Sequence, residues 1–132
     1  MKPQTAAYLA AADRAMSNAH GNLSIKIADQ AARLAYYAQF HAAQALIFER
    51  THKIAKTHKG VNIQFHRLIK SETTSDQTLA HQLTRAYHFK EVADYETGTI
   101  TIVTTDDAVA AIAAAEHFVT VIRQIPTDPL LP

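Results

Sequence analysis

Lys90, Asp94 and Tyr95 are the residues of this chain best placed to do chemistry together. Lys90 and Asp94 stand four apart, so on a helix they share a face, and Tyr95 follows directly. A cation facing phosphate, with a phenol bonding beside it, is the kernel of a phosphate-handling site. The same spacing also makes an ordinary surface ion pair worth about 0.2–0.5 kcal/mol, or lets Asp94 brace the turn after the helix. A second cluster is His52, Lys53, Lys56, His58 and Lys59, in the string HKIAKTHK. It reads as a phosphate-contacting patch, which a dimer would double. It reads equally as a solvated connector whose cations meet the dipole at the end of the preceding helix.

The eight histidines invite a metal argument, but their spacing does not carry one. There is no HExxH string and no cysteine, and His81 and His88, seven apart, are too few ligands. No metal or other cofactor is expected. There is no Gly-rich phosphate loop and no Gly-x-Ser-x-Gly elbow. His41 sits in an aromatic string and reads as a core or interface histidine with a backbone or tyrosine partner. His66 and Arg67 read as facing solvent or a dimer partner. Tyr36, Tyr37 and Phe40 are a base-stacking platform or, given their apolar neighbours, a buried stripe.

These residues need elements to position them. A chain of 132 residues fits one domain spanning 1–132, with a flexible tail over 126–132 where three of its four prolines crowd. Alanine is abundant and glycine scarce, which points to an all-α protein. The absence of cysteine excludes a disulfide framework and a thiol nucleophile, and suits a cytoplasmic protein. A formal charge of +1 is too balanced to announce a nucleic-acid binder by itself. No apolar run approaches a membrane span of ~18–20 residues, and Asp13 and Arg14 stand where a signal peptide needs apolar residues.

The apolar spacing predicts five helices. The first runs from about Pro3 to His20 and stops at His20-Gly21-Asn22. The second runs from Leu23 or Ser24 to about Thr51 and contains ARLAYYAQFHAAQALI, where small alanines alternate with rings. Its length makes it the backbone of the domain and a packing surface for another protomer. Thr57 caps a third helix ending near Ser71, with Gly60 tolerating a close approach. Ser75 or Asp76 caps a fourth, which runs to about Asp94. Thr99 to Thr104, β-branched and alternating, reads as a loop or a short extended segment. Thr105, followed by Asp106 and Asp107, caps the fifth.

Three strings then resemble a known family. AYYAQFHAAQALI (Ala35 to Ile47) is similar to the AYYAxFHAAxALL hallmark of HEPN-domain proteins. HKGVNIQF (His58 to Phe65) resembles that family's HKGVxxxF segment, and ADY (Ala93 to Tyr95) its R-x-x-A-D-Y motif. They occur in the family's order. The resemblance implies an up-and-down helical bundle of four to five helices, usually dimeric. It also implies a place in a toxin–antitoxin, defence or regulatory module beside a nucleotidyltransferase-like partner. Many HEPN proteins are metal-independent ribonucleases with an Arg, four to six residues, then a His at a dimer interface. This chain carries Lys90 where the motif has Arg, and no His follows at that spacing; Tyr95 stands there. Arg33 falls one position before the Arg that often precedes AYY. Arg14 and His20 match the spacing, but they lie in the first helix, so the activity is not carried to them. The readings left open are a HEPN protein acting with its partner, a divergent ribonuclease using Lys90 with His58 or His66, and a non-catalytic nucleotide- or nucleic-acid-binding module.

Overall fold

The computed structural model describes residues 1–72, 76–95 and 103–125. Among them are five helices and no strand: α1 (Pro3–Ser24), α2 (Ala28–Thr51), α3 (His58–Ser71), α4 (Leu79–Tyr95) and α5 (Thr105–Gln124). The all-α expectation holds. Residues 99–102 of the alternating segment lie outside the described residues, and Val103 and Thr104 belong to no strand.

Helix α2 touches each of the other four and is most extensively packed against α1. Its sequence explains this position. Ala31, Ala38, Ala42 and Ala45 fall on one face at 100° per residue and are buried. So are Ala12, Ala15 and Ala19 of α1. Small side chains let the two backbones approach. The pair is antiparallel, because the start of α1 is tied to the end of α2. The Lys2 backbone N–H and the Thr5 hydroxyl donate to Glu49 Oε1 at 3.1 and 2.8 Å, and the Lys2 ammonium donates to the Glu49 carbonyl. Burial alone would raise the Glu49 carboxyl, but these bonds and the nearby Lys2 charge hold it below the ordinary range. Having spent most of its surface inside the protomer, α2 leaves little for a second copy.

Several boundaries differ from those read in the sequence, each for a local reason. Helix α1 continues through Gly21 to Ser24, because a helical glycine only lowers propensity and does not force a stop. The reversal comes later, at Lys26, which takes the left-handed conformation at φ 62°. Helix α2 therefore begins at Ala28 rather than at Leu23 or Ser24. The cap of α5 is Thr104, not Thr105. Its hydroxyl accepts from the Asp107 amide while the Asp107 carboxylate accepts from the Thr104 amide, a closed capping box. Ahead of α4, Asp76 accepts from both the amide and the hydroxyl of Thr78. Those bonds, with His117 of α5 at 3.1 Å, pull its carboxyl down to about 2. Ser75, the alternative cap, lies outside the described residues.

The Thr57 cap of α3 is as expected: its hydroxyl accepts from Gly60 N at 2.9 Å. A Cβ on residue 60 would sit 2.9 Å from that same oxygen, so glycine lets the cap close. Helix α3 is anchored to α5 through Phe65 and Phe118, both fully buried with ring centroids 5.2 Å apart. Such a ring pair adds about 0.5–1.5 kcal/mol beyond its area burial.

Candidate functional site: the cleft between α2, α3 and α4

Opposite the alanine face of α2 lie Arg33, Tyr36 and Phe40. Helix α3 brings His58, Asn62 and His66 at intervals of four residues, with Lys59 next to His58, and α4 brings Leu83, Tyr87, Lys90 and Asp94 along one face. Between them is an open cleft of about 150 Å³ bordered by Tyr36, His58, Lys59, Asn62, Thr84 and Tyr87.

His58 is one of its walls. Nδ1 lies 2.7 Å from the Tyr36 hydroxyl, and the imidazole packs against the rings of Tyr36, Tyr37, Phe40 and Tyr87 at 5.2–6.2 Å. Burial, with some help from the Lys90 charge, holds its pKa below the ordinary imidazole value. It is therefore neutral near pH 7. Burial, reinforced by Tyr37 and Tyr87, also pushes the Tyr36 phenol far above its usual range, so it keeps its proton. At the other end of the cleft His66 Nε2 lies 3.2 Å from Thr84 Oγ1, which is 3.3 Å from Asn62 Oδ1.

Two cations, Arg33 and Lys90, gather around Asp94 beside the cleft. Arg33 Nε donates to Asp94 Oδ1 at 2.5 Å and Lys90 Nζ to Asp94 Oδ2 at 2.6 Å. Burial would raise the Asp94 carboxyl, but bonds from Lys90 and Arg33 hold it low, and the Asp94 bond raises the Lys90 ammonium. Lys90 also lies 5.9 Å from the Tyr87 ring centroid, within cation–π reach. The Lys90 and Asp94 side chains are 12% and 21% exposed, and Arg33 joins them, so the pair does not stand alone on the surface. Nor does Asp94 merely brace the end of α4, since it ties α4 to α2.

The match to the HEPN domain model covers residues 5–125. The chain belongs to the HEPN family. No curated protein sequence matches it significantly.

Within this HEPN protein the predicted site residues divide. Lys90, Asp94 and His58 come together in or beside the cleft, and Lys59 borders it. Lys53 and Lys56 stay exposed in the connector between α2 and α3 and do not border it. The connector leaves α2 through His52, a left-handed C-cap at φ 60°. Tyr95 closes α4, and its side chain lies outside the described residues. His41 bonds to Gln44 Oε1 at 2.8 Å rather than to backbone or tyrosine. Tyr36 and Phe40 are buried, as the core reading expected, yet the Tyr36 hydroxyl also reaches the cleft. Among the described residues no three His, Asp or Glu side chains converge to hold a metal ion, and no helix is long and apolar enough to cross a membrane.

Sequence reasoning did not place Tyr87, Thr84 and Asn62 in the site, and it noted Arg33 only as out of register. A signal existed on α4. Leu83, Tyr87, Lys90 and Asp94 recur at helical spacing, so one face runs from apolar to charged.

Proposed function

We propose that this HEPN protein works as a homodimer in a bacterial toxin–antitoxin, defence or regulatory module with a nucleotidyltransferase-like partner. In this reading the α2–α3–α4 cleft engages a phosphate-bearing ligand, RNA or nucleotide. The supporting observation is the Arg33–Asp94–Lys90 triad beside that cleft, where Lys90 lies over the Tyr87 ring. Two cations are held in place by one carboxylate, and a phosphate oxygen pair that displaced Asp94 would meet both already oriented. Lys59 adds charge at the cleft wall, and Lys53 and Lys56 supply diffuse attraction for a longer strand. The experiment is co-purification with the product of the neighbouring open reading frame, alongside sizing at micromolar concentration. The expected result is a dimer that retains the partner. A monomer that captures nothing sinks the proposal. Ligand binding should weaken steeply with salt and with Lys90→Ala.

A second reading, a divergent metal-independent ribonuclease, is favoured by one feature: a neutral histidine beside the cations. The ribose 2′-hydroxyl would attack the adjacent phosphorus and expel the 5′-oxygen, leaving a 2′,3′-cyclic phosphate. His58 would take the 2′-hydroxyl proton and return it to the departing 5′-oxygen, while Lys90 and Arg33 met the charge on the phosphorane. Tyr95 is the family-position residue that would bond the phosphate. Cleavage in chelator should vanish in His58→Ala and Lys90→Ala; cleavage that survives both, and His66→Ala as well, removes this assignment.

A further inference from the structure

One contact in the cleft decides where a proton sits: the 2.7 Å approach of the Tyr36 hydroxyl to His58 Nδ1. Tyr36 lies within α2 and is 2% exposed. Its ring packs against those of Tyr37, Phe40, His58 and Tyr87 at centroid distances of 5.4–5.9 Å. Among the described residues its hydroxyl meets no partner besides His58.

A phenol has one proton to give, and a neutral imidazole has one proton and one bare nitrogen. Two arrangements fit the distance. In the first, the Tyr36 hydroxyl donates to Nδ1 and the imidazole proton sits on Nε2. In the second, Nδ1–H donates to the phenol oxygen, and the Tyr36 proton is left among rings with no oxygen or nitrogen to receive it. Folded proteins almost never bury a donor without an acceptor, so the first arrangement prevails. Neither partner escapes by changing its charge. Burial keeps the phenol protonated. Burial and the Lys90 charge disfavour imidazolium, and His58 stands in the first turn of α3, at the positive end of that helix.

His58 borders the cleft, and its Nε2 has no partner among the described residues. We propose that Tyr36 is a positioning residue: by donating to Nδ1 it holds His58 as the Nε2–H form, so the cleft offers a ligand oxygen a hydrogen-bond donor and not a base. Lys59, next to His58 and on the same cleft, adds a charge that suits an anionic oxygen. The proposal rests on the cleft as a phosphate-handling site, and it separates the two forms of that reading. Proton abstraction at Nε2 needs the imidazole proton on Nδ1 and the Tyr36 proton turned into the rings. Binding needs no such reversal.

The test has two arms, both on the full chain. The first is proton–nitrogen correlation by nuclear magnetic resonance at about pH 8, where an imidazole is neutral. His58 should show a protonated Nε2 and a bare Nδ1, with the Tyr36 hydroxyl proton coupled to Nδ1. Tyr36→Phe should abolish that coupling and move both nitrogens toward the average of two exchanging forms. A protonated Nδ1 in the parent overturns the proposal, and so do imidazole nitrogens unmoved by Tyr36→Phe. The second arm titrates inorganic phosphate by calorimetry. His58→Gln, which keeps an N–H donor but cannot serve as a base, should bind like the parent. His58→Leu should bind about tenfold more weakly, the worth of one hydrogen bond to a charged group. Equal weakening in the two variants overturns the donor role. A parent that binds no phosphate removes the cleft reading, and the spectrum of His58 then still upholds or overturns the role of Tyr36.

Discussion

The two faces of α2 divide this molecule. Toward α1 the helix presents Ala31, Ala38, Ala42 and Ala45, closed at one end by the Glu49 clasp. On the opposite face it presents Arg33, Tyr36 and Phe40 to α3 and α4, where the packing leaves an open cleft. Alanine has no rotamers to lose and no polar side-chain atoms to satisfy, so the alanines of this seam let two backbones come close and offer no group for chemistry. Tyrosine, histidine and arginine each carry a polar tip that must find a partner, and rings of unequal shape leave gaps. The same helix is thus a packing element on one side and the floor of a site on the other.

The sharpest way to break this comparison is to truncate one ring on each side of the divide. Phe118→Ala, in the closed core, should cost about 3–5 kcal/mol in denaturant unfolding. Tyr87→Ala, at the half-buried cleft wall, should cost clearly less; equal losses would mean that the cleft is as tightly packed as the core. Next comes overpacking the seam. Ala42→Leu should lose about 1–3 kcal/mol, because α1 and α2 have no room for three more carbons.

A smaller effect separates stability from binding. Asp94→Asn removes the anion between Arg33 and Lys90. It should cost about 1 kcal/mol, discounted for partial exposure, yet raise affinity for a phosphate-bearing probe severalfold by titration. A fall in both would show that Asp94 builds the anion site instead of filling it. The smallest effect is in pH. His58 and His66 both have pKa values depressed by burial. Their contribution is full above the unfolded value near 6.5 and is lost as pH falls through the folded values. Thermal stability should therefore decline below about pH 6.5, and His58→Asn should flatten that decline. An unchanged slope would place the acid sensitivity elsewhere.

Much of the fold was legible in order of residues. The helix count, the α3 cap at Thr57 and the burial of Tyr36 and Phe40 all follow from spacing and local hydrogen-bond chemistry, which act within a few residues. Boundaries slipped where a local signal had competitors. Gly21 reads as a stop but can be carried inside a helix, and Thr104 and Thr105 are both cap residues, with Asp107 choosing between them. The site was legible only in pieces. Lys90, Asp94 and His58 were visible as types that could act, but Lys53 and Lys56 look the same in sequence and fall outside the cleft.

What the sequence determined alone is the set of helices and the family, because helical periodicity and caps are short-range and the HEPN motifs are contiguous strings. Tertiary structure decided which charges meet. Arg33 and Asp94 are sixty-one positions apart, and no local rule pairs them. Only the packing of α4 across α2 gave one carboxylate two cations, and only the approach of α3 carried His58 off a basic connector and into a ring of tyrosines, where burial sets its charge.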